Sequence, residues 1–183
     1  PFIEDILTQT EGRAFVLFTS YRGMNEVWGE IKDRLPWQLL KQGDLPKNKL
    51  IERFKTDIHS VLFATASYWE GVDVPGEALS CVILVKLPFA VPDDPLTQAK
   101  IRSIKRSGGN TFYSHSLPQA VLRLRQGFGR LIRSRHDRGL VAILDPRVRT
   151  SGYGRYFLND LPPCREITCL DDVEQFLQRE KHM

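Results

Sequence analysis

Four stretches of this chain are apolar almost without interruption: RAFVLFTS from Arg13, SVLFATAS from Ser60, CVILVKLPF from Cys81 and GLVAILDP from Gly139. A strand with one wet face alternates apolar and polar residues. A run of Val, Ile, Leu and Phe that does not alternate has both faces covered, as strands inside a parallel sheet do. Parallel neighbours cannot be joined by tight hairpins, so each pair needs a crossover segment. The intervals supply them. MNEVWGEIKDRL and KNKLIERFK, between the first two runs, have helical spacing of their apolar residues. After the third run the turn LPFAVPDDP leads to the amphipathic LTQAKIRSIKR, the glycine break SGGN and a long helix starting near Leu117. The tail DDVEQFLQRE reads as a short closing helix with an Asp suited to capping it. The pattern predicts an α/β domain with a mostly parallel central sheet and helices on both faces, with ligands gathering at the carboxyl ends of the strands.

With 183 residues the chain holds one sizeable domain. Lys and Arg number 26 against 22 Asp and Glu, a formal charge of +4, which leans toward a polyanionic partner. Cys81, Cys164 and Cys169 form no CxxC pair, which argues against a disulfide framework, a zinc knuckle or a locally built iron–sulfur site. No apolar run approaches the roughly 18 residues of a spanning helix, and the start lacks the order of a secretory signal. A cytoplasmic protein without membrane partners is expected. The chain opens on proline without an initiator Met, and a fragment of a longer chain is expected.

At about 100° per residue the long helix has two distinct sides. Val121, Leu124, Phe128, Leu131 and Ile132 fall on one side as a buried stripe, and Gln119, Arg123, Gln126, Arg130 and Arg133 fall opposite. A solvated basic face is the ordinary explanation. Against it stand Gly127 and Gly129, which flank the face, and the lack of a carboxylate on it for intrahelical pairing. Guanidiniums without local partners suit an anion arriving from elsewhere, and Arg is the side chain for a phosphate fork.

ATASYWEGVDVPGE, Ala64 to Glu77, follows a strand and reads as a loop. Asp73 there either caps a tight turn or meets a ribose hydroxyl or an arginine. Ser67, Tyr68 and Trp69 offer a hydroxyl to a phosphate and aromatic surface to a base, with Trp69 equally suited to the core. In LFTSYRGMNEV, Thr19 and Ser20 end a strand, and Tyr21 and Arg22 begin a helix; a Ser/Thr cap and a phosphate cradle are both open readings. The sequence has no GxxxxGK[ST] and no acidic metal-binding box after a strand, and His59, His115, His136 and His182 are scattered without ligand spacing. No metal ligand is expected in the chain itself. Arginines for a phosphate without a cradle to hold one make half of a site.

These segments together resemble a known family. QGFGRLIRSRHDRG, preceded by SLPQAVLRLR and followed by VAILDPR, resembles motif VI of the DinG-type superfamily 2 DNA helicases, relatives of the XPD helicases. TASYWEGVDVPGEAL followed by VILVKLPF resembles their motif V, and VLFTSY their motif IV. The match runs in the family's order from about Phe15 to Pro162, nearly the whole chain.

The resemblance implies a RecA-like fold of the P-loop NTPase class, with residues 1–183 as the second of two motor domains that close around ATP and Mg2+. The first domain of the same polypeptide would hold the phosphate loop and the magnesium ligands. It further implies that Arg133 and Arg130 reach the γ-phosphate, Arg133 as arginine finger, with Gln126 sensing the nucleotide. Glu70, Gly71, Asp73 and Gly129 would lie at the cofactor, with Gly71 and Asp73 linking nucleotide to DNA. Ser20, Tyr21, Arg22, Ser67 and Trp69 would contact single-stranded DNA or a single-stranded tail. The expected activity is ATP-driven unwinding of DNA in the full-length protein and none in this fragment alone. The competing expectation is a stand-alone nucleic-acid-binding module that kept the fold without the motor.

Overall fold

A computed structural model describes residues 2–69, 72, 74, 79–89, 95–132 and 138–181; the side chains of Ser67, Trp69, Arg130 and residues 178–181 lie outside that description. Five strands, β1 (Ala14–Phe18), β2 (Leu39–Lys41), β3 (Val61–Thr65), β4 (Cys81–Leu84) and β5 (Leu140–Ile143), form one sheet in the order β2-β3-β1-β4-β5. Every pairing is parallel, with Ala14 opposite both Val61 and Cys81, and Cys81 opposite Leu140. The four apolar runs are four of these strands. β1, β3 and β4 are buried at every residue, as non-alternating runs require. β2 was not foreseen: LLK is three residues long and half-covered, too short to show a period.

The helices are α1 (Phe2–Thr10), α2 (Tyr21–Ile31), α3 (Lys47–Thr56), α4 (Ala66–Trp69), α5 (Pro95–Arg106), α6 (Leu117–Leu131), α7 (Arg147–Thr150), α8 (Gly154–Asn159) and α9 (Leu170–Lys181). A π-helical turn, Phe112–Ser116, feeds α6, whose first turn holds Pro118 where its missing N–H costs nothing. α9 starts at Leu170, so Asp171 and Asp172 stand in its first turn and not at the cap expected of the tail. There they complement the positive end of the helix dipole.

Alternation along β1 divides the core in two. Val16 and Phe18 face α1, α2 and α9 through Ile6, Leu7, Met24 and Val173. Phe15 and Leu17 face α3, α4, α6 and α8 through Leu50, Phe54, Leu124 and Phe157. Cys81 is buried in the first layer, where loss of water pushes its thiol up to about 12; Cys164 and Cys169 are exposed. The turn into β1 is pinned at Gly12, whose φ of 75° is open to glycine and whose added Cβ would overlap the His59 carbonyl oxygen.

Candidate functional site

β1 lies at the sheet centre, and the segments leaving its carboxyl end and those of its two neighbours part company. α2, after β1, packs on one face, while α4, after β3, and α6, after β4, pack on the other. That divergence opens a crevice at the carboxyl ends of the central strands, the place where open parallel sheets take ligands. A cleft of about 480 Å³ lies there between sheet and α6, with Leu17, Ala66, Leu84, Pro88, Arg123 and Gln126 on its walls.

α6 supplies the outer wall. Its buried stripe is Leu117, Ala120, Leu124, Gly127 and Leu131, with Val121, Phe128 and Ile132 partly covered. The stripe is turned from the one expected: the small residues Ala120 and Gly127 centre the contact, which lets the helix lie close on the sheet. Gly127 therefore faces the core and does not flank the polar face. Gly129 does lie outside, and a Cβ there would meet open space. Gln126 is exposed at the cleft, and Arg123 is half-buried in its wall. Arg125 points away to Asp160, 3.6 Å distant. The helix ends at Leu131, and Ile132 caps it in extended conformation, its N–H donating to the Phe128 carbonyl. The helical angle count therefore stops before Arg133. Arg133, Arg135 and the Arg130 side chain fall outside the described residues.

Across the crevice, Ser20 caps α2, its hydroxyl accepting from the Gly23 N–H at 3.2 Å. The capping reading holds for that oxygen. Tyr21 is half-exposed, and its hydroxyl accepts from Gln42 Nε2 at 2.6 Å. Gln42 Oε1 in turn accepts from the Thr65 backbone N–H at 2.7 Å and its hydroxyl at 3.0 Å. Gln42 thus ties the ends of β1, β2 and β3 together. Sequence reasoning passed over it; its only signal was an amide just after an undetected strand. Arg22 is 90% exposed and pairs with Glu26 at 2.9 Å, one helical turn on, which raises its pKa.

Of the segment after β3, Ser67 and Trp69 belong to α4, with side chains outside the described set; Glu70, Gly71 and Asp73 lie outside it altogether. Tyr68, offered as surface for a base, is a core residue instead. Its hydroxyl donates to the Lys47 carbonyl at 3.2 Å, its ring lies under Lys47 Nζ at 4.9 Å, and burial raises its pKa.

A second residue missed from sequence is Asp145, just past β5 and 4% exposed. Its carboxylate accepts from the Leu87 N–H at 2.9 Å, from the Arg147 N–H at 3.0 Å and from the Arg147 guanidinium at 2.6 Å. The Arg147 side chain holds the acid down to about 2. The signal was present in LDPR: an acid placed right after an apolar strand is positioned to clamp that strand end. It fastens the ends of β4 and β5 beside Pro88 in the cleft wall.

The family model described as helicase C-terminal domain matches residues 3–164. The chain is 45% identical over 175 residues to the ATP-dependent DNA helicase YoaA of Haemophilus influenzae, covering 96% of this chain and 27% of that protein. It is 41% identical over 186 residues to the 3'-5' exonuclease DinG of Bacillus subtilis, covering 98% and 20%. The ATP-dependent helicase DinG of Mycobacterium tuberculosis is also 41% identical, at 97% and 27%. The chain thus spans about a quarter of the length of these relatives or less. Among solved structures, an XPD helicase superposes with a TM-score of 0.66 at 20% identity, covering 86% of this chain and 29% of that one. Saccharomyces cerevisiae Dbp5, bound to RNA and ADP with BeF3, gives 0.56 at 21% identity, covering 97% and 40%. Those likenesses speak to the fold, which is RecA-like. By the match over 3–164, the chain belongs to the helicase C-terminal domain family, and its similar relatives are of the DinG and YoaA type.

Proposed function

We propose that residues 1–183 act as a single unit, the second motor domain of an ATP-dependent DNA helicase, completing an ATP site whose phosphate loop and magnesium ligands belong to another domain of the same polypeptide. The observation that carries the reading is the end of α6: Gln126 exposed on the cleft, Gly129 with open space above it, and Arg130 and Arg133 directly following in sequence. The described residues fit the nucleotide in part. Donor side chains and an unobstructed backbone stand at the carboxyl ends of the strands, while among those residues no group of three or more acids, histidines or cysteines could hold a metal ion.

When bound, ATP supplies a γ-phosphoryl group whose transfer spreads charge over its oxygens. Arg133, with Arg130, neutralises that charge from across the domain interface, a contribution of about 10³ to 10⁵ in rate. Gln126 donates toward the nucleotide, and Gly129 lets it approach the helix. Glu70 lies at the nucleotide, and Gly71 and Asp73 relay its state to the strand, which runs over Ser20, Tyr21, Arg22, Ser67 and Trp69. Hydrolysis then depends on closure of the two domains, and repeated closure ratchets a single strand.

In the protein carrying both motor domains, Arg133→Ala should abolish DNA-stimulated ATP hydrolysis while nucleotide binding, followed by fluorescent-nucleotide titration, stays within a few-fold. Normal turnover in that variant removes the assignment.

A further inference from the structure

Nine of the chain's 26 basic residues and none of its 22 acidic ones fall in the 42 residues from Pro95 to His136, leaving 17 basic against 22 acidic for the rest. The charge is thus segregated, not scattered. α5 carries four of the nine, Lys100, Arg102, Lys105 and Arg106, and buries none of its residues. Its half-covered side is Thr97, Ile101 and Ile104. At about 100° per residue, Arg102 and Arg106 stand on the opposite, outward side, with Lys100 and Lys105 on its flanks.

Elsewhere Arg34 pairs with Glu4 at 3.0 Å, Arg125 with Asp160 at 3.6 Å and Arg149 with Glu166 at 2.7 Å. The four cations of α5 have no ion pair among the described residues. Just beyond, Gly108 (φ 74°) closes the helix and the Asn110 carboxamide accepts from the Phe112 and Tyr113 N–H groups. Tyr113, a few residues on, is 52% exposed, its ring edge-to-face with Phe112 at 5.2 Å. Like charges gathered on a helix cost free energy unless an anion neutralises them.

We propose that α5 and Tyr113 form a further nucleic-acid contact, the four cations on successive phosphates of a single strand and the Tyr113 ring as a stacking surface for a base. This rests on the proposed DNA-handling role and adds a surface to it. The regular spacing of phosphates and the aromatic neighbour favour a nucleic acid over an acidic protein.

The test is binding of a labelled 20-nucleotide single strand by the 183-residue chain, followed by fluorescence anisotropy across a salt series. Two variants of equal charge change are compared: Arg102→Gln with Arg106→Gln, and Arg34→Gln with Arg149→Gln. Circular dichroism checks that both fold. The α5 pair should lower the slope of log affinity against log salt by about 1.4, at roughly 0.7 per phosphate contact, and the acid-paired set by much less. Tyr113→Ala should weaken binding about 5- to 100-fold without changing the slope. Equal slopes in the two double variants overturn the proposal while leaving the motor-domain reading intact. If the unaltered chain binds no DNA at any salt concentration, the proposal is overturned too, and Arg133→Ala in the two-domain protein then decides the motor-domain reading separately.

Discussion

The carboxylate of Asp145 accepts the backbone N–H of Leu87 at 2.9 Å, joining two strand ends that are 58 residues apart in sequence. The acid is buried, yet its pKa lies at about 2 because the Arg147 guanidinium and two backbone N–H groups favour the charged form. A carboxyl whose folded pKa is depressed stabilises the fold above its ordinary value near 4, and that stability is lost as pH falls through the folded value. The contribution is on the order of 2 kcal/mol. Asp145→Asn should remove it. Urea midpoints taken from pH 5 to pH 2 should fall less steeply in the variant, and parallel curves would show that the clamp contributes nothing.

Gly129→Ala separates stability from function. A Cβ there meets open space, and alanine is the better helix former, so the isolated domain should gain roughly 0.5–1 kcal/mol. In the two-domain protein the same methyl would stand where the nucleotide or the other domain approaches, and DNA-stimulated turnover should drop. A variant that is more stable and fully active would show that the glycine serves no approach.

Gln42→Ala takes the acceptor from the Thr65 N–H and hydroxyl and the donor from the Tyr21 hydroxyl. Loss of these bonds at a partly buried site should cost about 1–3 kcal/mol, read from the urea midpoint. Gln42→Glu keeps an acceptor for Thr65 and gives up only the amide donor, so it should cost less. An equal loss in both variants would place the weight on Tyr21 and not on Thr65.

What the sequence disclosed and what it withheld divide along physical lines. Long uniform patterns were legible: the four apolar runs are strands, though β5 at the sheet edge is only half-covered past Leu140, and the start of α6 at Leu117, the break before it and α5 stand as read. Short or conditional features were not. Three residues of β2 carry no period, and α7 and α8 are too brief for one. Tyr68 was misassigned because an aromatic gives the same one-letter signal in a core as on a surface. The α6 stripe was turned because hydrophobicity ranks Val121 and Phe128 above Ala120 and Gly127, while close packing on a sheet favours the small residues. Gln42 and Asp145 escaped because their importance lies in partners 21, 23 and 58 residues away. Resemblance identified the family, and it matches over 3–164. The roles of Arg133, Gly71 and Asp73 remain expectations of that likeness.

The first and last helices share a face: Ile6 and Leu7 of α1 pack in the layer that holds Val173 of α9, and the Gln9 side chain donates to the Leu170 carbonyl 161 residues later. Two helices far apart in sequence thus close one layer of the core. Ile6 and Leu7 also pack with Val16, Met24 and Phe63, so α9 closes a layer that the central strands and α2 already hold in place. Removing α9 should therefore loosen the seat of α1 more than it disturbs the sheet.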